Sequence, residues 1–421
     1  MVGVGIFLVV GRGADQAGAG VSLSFVLAAV ASLLAALPLA EFSTLVPAAG
    51  SVYTYAYVTL GEIFAWLIGW LLLFVMLLAA SSNATGFSLF MQTWLGVKLP
   101  VFLGATYDLG GLINLPAMLL VLLGTLLLSF GVRNFKKVNK VMVLVKLLVI
   151  LLFIGVGAFF VQPTYWQPFL PKTGMIGVVS GASIVFFAFL GFDVLAAAAE
   201  ETKDPQRSLP RGLLTSIFIT TLLYVAVALV MTGLLTPAML SENQAAPIAA
   251  AIRVMTGQAW VGRIVIPGAV LGMSASVLMI LYAIARILFA IARDGLLPKV
   301  FARVKAGTPL AATWIVGIAA ALLAGLFPLE WATDVVGLGY LLILTVVSVS
   351  VIVLRYTRSD LKSVFRCPAV PWLPGISIML NLYLMSTLSA AAWKALSVWL
   401  VLGGLVYYSY SYRHSSMMDN K

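Results

Sequence analysis

Residues 141–160 read VMVLVKLLVILLFIGVGAFF, and Lys146 is the one charged residue among them. Backbone N–H and C=O groups in hydrocarbon must bond within their own segment, so an apolar run of this length is a helix that crosses a membrane. Such runs recur along the chain. They predict eleven complete spans and a first that is cut short: 1–11, 20–46, 63–95, 113–131, 138–161, 175–200, 210–236, 262–292, 310–328, 331–354, 371–390 and 393–411. Only 9% of the 421 residues are charged, against about 25% in soluble domains, so a water-facing exterior is excluded. The longest connection is 237–261, and residues 1–421 therefore read as one all-α integral membrane domain.

The formal charge of +11 does not point to nucleic acid, because in a membrane protein the placement of Lys and Arg sets orientation. With the amino terminus in the cytoplasm, seventeen of the 25 fall in inside loops, among them Arg133, Lys136, Lys137 and Lys140 after span four and Arg355 and Arg366 after span ten. Six fall outside, including Arg12, and Lys146 and Arg286 lie within spans. Both termini are thus expected in the cytoplasm of a multi-pass protein of the cell membrane. The single cysteine, Cys367, and the single histidine, His414, leave no metal cluster and no Cys-His or Ser-His nucleophile pair. No phosphate-binding GxxxxGK[ST] loop is present. These absences argue against an enzyme and against a resident cofactor.

Two spans are interrupted. The first opens MVGVGIF, with Gly3 and Gly5 flanking Val4, and the sixth contains FFAFLGFDVLAAAAEE, where Gly191 and Asp193 break an apolar helix. Glycines in membrane helices also serve as packing notches, and a buried carboxylate can be a structural partner as well as a functional group. The spacing of the two breaks, five spans apart, is that of inverted repeats each led by a discontinuous helix, where freed backbone groups bind ligands at mid-membrane.

The stretches GVGIF at 3–7, AEFSTLVPAAGSVYTYAYVTLGEIFAWLIGW at 40–70, FFAFLGFDVLAAAAEETKDPQRSLP at 186–210, ARILFAIARDGLLPKVF at 285–301 and RCPAVPWLP at 366–374 resemble the amino acid, polyamine and organocation (APC) transporter superfamily, and within it the cationic amino acid transporter-like family with its bacterial members. The resemblance implies a LeuT-like fold: repeat one over about 1–161, repeat two over about 175–354, and two extra spans over 371–411. It implies that a substrate carboxylate is held by the N–H groups of Val4, Gly5 and Ile6 at the start of a half-helix, whose positive dipole end favours an anion. The substrate ammonium falls to carbonyls of the breaks, here Phe187 and Leu190 beside Gly191. Phe187 and Phe189 are the matching candidates for an aromatic cap, and Ile280 in span eight for a wall contact. That wall carries no carboxylate, which favours small or apolar neutral amino acids.

Lys146 stands six residues past the basic stretch ending at Lys140, so its amine could snorkel to the surface. The resemblance gives it another role. A proton-coupled branch carries a lysine in this context, where sodium-coupled relatives of the fold bind their ion, with Ser274 as the hydroxyl partner. Lys146, with Asp193 as the alternative carrier, is therefore expected to couple transport to protons. Arg286 is read either as a structural cation or as part of an inner gate paired with Glu41 or Glu200. Relatives carry a complete first half-helix, so the expectation is either that the reading frame continues upstream for roughly 20–40 residues, enough to complete a span of about 30 Å, or that the gene is truncated. The leading expectation is proton symport of amino acids, and the alternatives are an amino acid exchanger, including cationic substrates, or a non-transporting amino acid sensor.

Overall fold

The structure is a computed structural model and describes residues 3–45, 52–97, 99–197, 202–243, 247–255, 259–305, 307–357 and 363–415. Among the described residues, each predicted apolar run carries helix. A π-helical turn, Gly5–Val9, leads into α1 (Val10–Ala17), and a 3₁₀ turn, Gly18–Gly20, joins it to α2 (Val21–Leu45). Then follow α3 (Val52–Leu60), α4 (Glu62–Leu95), α5 (Leu115–Ser129), α6 (Val132–Gly157) and α7 (Met175–Val185). After the second break come α8 (Val194–Ala197), α9 (Pro205–Leu234), α10 (Ala259–Arg293), α11 (Leu310–Leu326), α12 (Leu329–Thr357), α13 (Trp372–Ser386) and α14 (Ala390–Val406). Seven helical runs are long and apolar enough to cross a membrane and four shorter apolar helices accompany them; the first run, Gly5–Leu45, contains both α1 and α2.

Several loop assignments differ from expectation. The basic stretch after span four is helix, because Gly131, at φ 106°, turns the chain and α6 begins at Val132. Arg12 belongs to α1 rather than to an outside loop, and Arg355 to the last turns of α12. The connection 237–261 carries two short helices, Pro237–Glu242 and Pro247–Val254, the first capped by the Thr236 hydroxyl accepting from the Met239 N–H. Between α2 and α4, α3 is an additional short helix, tied to the end of α10 by the Tyr53 hydroxyl donating to Asp294 at 2.8 Å.

Helices α1, α2, α7 and α9 pack as one group, with α2 against α1, α7 and α9. Helices α4, α5, α10 and α11 pack as a second, and α6 lies against α10. Helix α12 touches both α2 and α4 and bridges the two groups. Two polar ties fix its ends. Near its start, Arg12 of α1 donates to Thr333 Oγ1 at 2.7 Å and to Asp334 at 3.2 Å; near its finish, Arg355 donates to both oxygens of Glu41 on α2, at 2.9 and 2.8 Å.

Candidate functional site

The break expected in span six is present, and the start of the first span, Gly3–Gly5, lies against it. The 3₁₀ turn Phe186–Phe189 ends α7, Leu190 is extended, and Gly191 takes φ 102°, a left-handed value that L side chains resist. Helix α8 restarts after Asp193. Gly5 faces this interruption so closely that a Cβ there would lie 2.5 Å from the Ala188 Cα, so the start of the first span meets the break at a contact that leaves no room for a side chain. Tyr224 of α9 steadies the contact: its hydroxyl donates to the Ala188 carbonyl at 2.8 Å, satisfying an acceptor that the break would otherwise strand.

Beside the contact lies a cavity of about 380 Å³ between the two helix groups, within the range of small-molecule sites. Its floor and walls come from Gly3, Val4 and Gly5, from the second break through Phe187, Leu190, Gly191 and Asp193, and from side chains of α4, α6, α9, α10 and α12. Most of the wall is apolar, with Val75, Met76, Met279, Ile280 and Val336 prominent. It carries an amine, that of Lys146, 7% exposed, and a carboxyl group, that of Asp193, 1% exposed.

The expected residues therefore separate into two sets. Val4, Gly5, Phe187, Leu190, Gly191, Ile280, Lys146 and Asp193 share the cavity. Ile6 is fully buried in the π-helical turn behind it. Phe189 faces the other way, packed edge-on against Tyr224 at 5.2 Å and tilted against Phe25 at 6.3 Å, so of the two candidate aromatics Phe187 is the one on the wall. Ser274 sits off the wall with its hydroxyl donating to its own helix at Val270, 2.9 Å away, while Ser276 reaches the cavity. Lys146 is turned inward against α10, where a Cβ at Gly272 would sit 3.0 Å from its own Cβ. Burial at this contact does not match a side chain that reaches for the surface.

The gate pairing takes a different form. Glu41, 3% exposed, accepts from Arg355 and from the Cys367 N–H at 2.7 Å, three charge-assisted bonds that occupy it at the end of α2. Arg286 lies over the Tyr282 ring at 5.6 Å and lines a small separate pocket with Thr308 and Thr313. Glu200 lies outside the described residues.

Asn83 was not legible as a site residue. Its side-chain oxygen accepts the Val4 N–H at 3.0 Å and its amide donates to Ala79 at 2.8 Å. The Val4 amide, expected to face a carboxylate, is thus engaged by α4 in this structure. The signal available in the sequence was the polar run SSNAT inside span three. No group of three or more His, Cys, Asp or Glu close enough to hold a metal occurs among the described residues.

An all-helical membrane protein in which an interrupted helix and the start of the first span meet beside a ligand-sized cavity is built like a solute permease. Comparison with known sequences agrees: the family model for amino acid permeases matches residues 1–412, and this chain belongs to that family. It is 44% identical to the branched-chain amino acid permease of Bacillus subtilis (strain 168) and 43% identical to the methylthioribose transporter of the same organism, each alignment covering 99% of this chain and 91% of the relative. It is 35% identical to the vacuolar cationic amino acid transporter 4 of Arabidopsis thaliana, over 85% of this chain and 61% of that one.

Proposed function

We propose that this protein imports small or apolar neutral amino acids by proton symport, with a LeuT-like arrangement of two inverted five-span repeats plus two further spans and both termini in the cytoplasm. The observation that carries the reading is the cavity where the start of the first span meets the break after α7, mostly apolar and lined by both a lysine and an aspartate. Backbone N–H groups of the π-helical turn at Gly5 suit a carboxylate. Apolar side chains of α4, α10 and α12 suit an aliphatic substrate side chain, as in the relative named for branched-chain amino acids. The nearly as similar relative named for methylthioribose makes that compound the competitor to include.

Lys146 is the proposed coupling group. Its amine lines the cavity beside the second break, where it can load a proton from one face and release it to the other as the half-helices reorient. Uptake into proteoliposomes with and without an imposed pH gradient tests this. Wild type should accumulate leucine or alanine only with the gradient, and Lys146→Ala should lose gradient-driven accumulation while still binding. Gradient-driven accumulation retained in Lys146→Ala moves the role to Asp193. Equal uptake with and without a gradient, but dependent on amino acid inside the vesicle, establishes exchange instead. Arginine outcompeting alanine and the branched-chain amino acids overturns the neutral preference.

A further inference from the structure

Tyr340 lies on α12, is 2% exposed and lines the central cavity. Its ring packs edge-on against Phe192, beside the second break, with centroids 6.1 Å apart. Its hydroxyl has no hydrogen-bond partner among the described residues, whereas that of Tyr224, also beside the break, donates to the Ala188 carbonyl. A phenol whose ring is fixed by packing on the wall of a ligand-sized cavity and whose buried O–H is unsatisfied is a donor awaiting an acceptor.

The depth of that donor follows from the tie between α1 and α12. Arg12 and Asp334 are paired at 3.2 Å and therefore lie at one level. Gly5 stands seven residues before Arg12 and Tyr340 six after Asp334, and at about 1.5 Å per residue both lie roughly 9–10 Å from the tie. Helix α1 leads away from the Gly5 contact and α12 leads toward it, so the two displacements run the same way. Gly5 and Tyr340 thus lie on the same side of the tie, at similar depth, and line one cavity. At that level the anion site is short of a donor, because Asn83 holds the Val4 N–H.

We infer that Tyr340 is a substrate-binding residue whose hydroxyl donates to the substrate carboxylate, standing in for the backbone donor that Asn83 occupies. This rests on the amino acid reading of the cavity.

The test is ligand-induced thermal stabilisation of the full chain in detergent, measured with alanine, valine, leucine and leucinamide, for wild type and Tyr340→Phe. The substitution keeps the ring and its Phe192 contact, and an unchanged unliganded melting profile verifies the fold. A hydrogen bond to a charged group corresponds to roughly 10–100-fold in affinity. Tyr340→Phe should weaken all three amino acids by that factor, uniformly, and leucinamide only a few-fold, since its amide oxygen is a weaker acceptor. Unchanged affinities overturn the inference and leave the amino acid reading standing. A penalty that varies with the side chain and not with the carboxylate overturns it also, making Tyr340 a side-chain contact. Failure of wild type to bind any of these amino acids sinks both readings.

Discussion

Replacing Asn83 by alanine separates two roles of one hydrogen bond. In the folded protein its side chain is 5% exposed, accepts the Val4 N–H at 3.0 Å and donates to Ala79 at 2.8 Å. The Ala79 carbonyl lies inside α4 and keeps its helical partner, so losing the second bond costs little. The Val4 N–H begins a helical segment and has no intrahelical acceptor to fall back on. Leaving it unsatisfied in a buried site costs about 1–3 kcal/mol, and the unliganded variant should lose that much stability. A substrate carboxylate can then accept from the exposed N–H, so the same change should raise substrate affinity. A tenfold gain adds about 1.4 kcal/mol to ligand stabilisation at a fixed saturating concentration. Asn83→Ala should therefore melt below wild type without leucine and recover part or all of the difference with it. Thermal melts across a leucine titration read both quantities from one sample. An unliganded melting point equal to wild type, or a lower one with an unchanged ligand shift, refutes the reasoning.

Gly5→Ala should abolish binding and transport with helix content retained, because its Cβ would meet the Ala188 backbone at 2.5 Å, whereas Gly155→Ala, with nothing within 4 Å, should transport normally. Uptake and circular dichroism of the pair check this. Arg355→Ala strands the buried Glu41 carboxylate and should cost about 3–5 kcal/mol, more than the roughly 1–3 kcal/mol of Glu41→Gln; equal losses in chemical denaturation would remove the asymmetry on which this rests. Burial, followed by the neighbouring Glu41 charge, pushes the Cys367 thiol up to about 12. Below that pH the thiol stays protonated, so alkylation by iodoacetamide at pH 8 should run about 10³-fold slower than for a free cysteine, rise with pH, and become fast on unfolding. Reaction at the free-thiol rate in native protein would contradict the enclosure of Cys367.

Apolar runs of membrane length required helices, and among the described residues each of them carries helix, because in hydrocarbon the backbone has no other way to satisfy itself. Gly191 and Asp193 marked the break after α7 for a local reason: a glycine or a carboxylate in an apolar helix is a defect visible without knowing its neighbours. Partnerships across the fold were not legible. Val4 with Asn83, Arg12 with Asp334 and Glu41 with Arg355 join positions 79 to 322 residues apart, and each needed the packed helices to bring it about. Burial was equally hidden. Of the apolar windows in α6 and α12, 28% of one and 78% of the other is buried within the protein, though both read as continuous apolar sequence. Lipid tails are as apolar as leucine, so the face a helix turns inward carries no hydrophobic stripe to announce it. Sequence alone determined which segments enter the bilayer and where the sixth gives way. Tertiary packing decided which side chains face the cavity, placing Phe187 there and Phe189 behind it, and Tyr340 on its wall against Phe192.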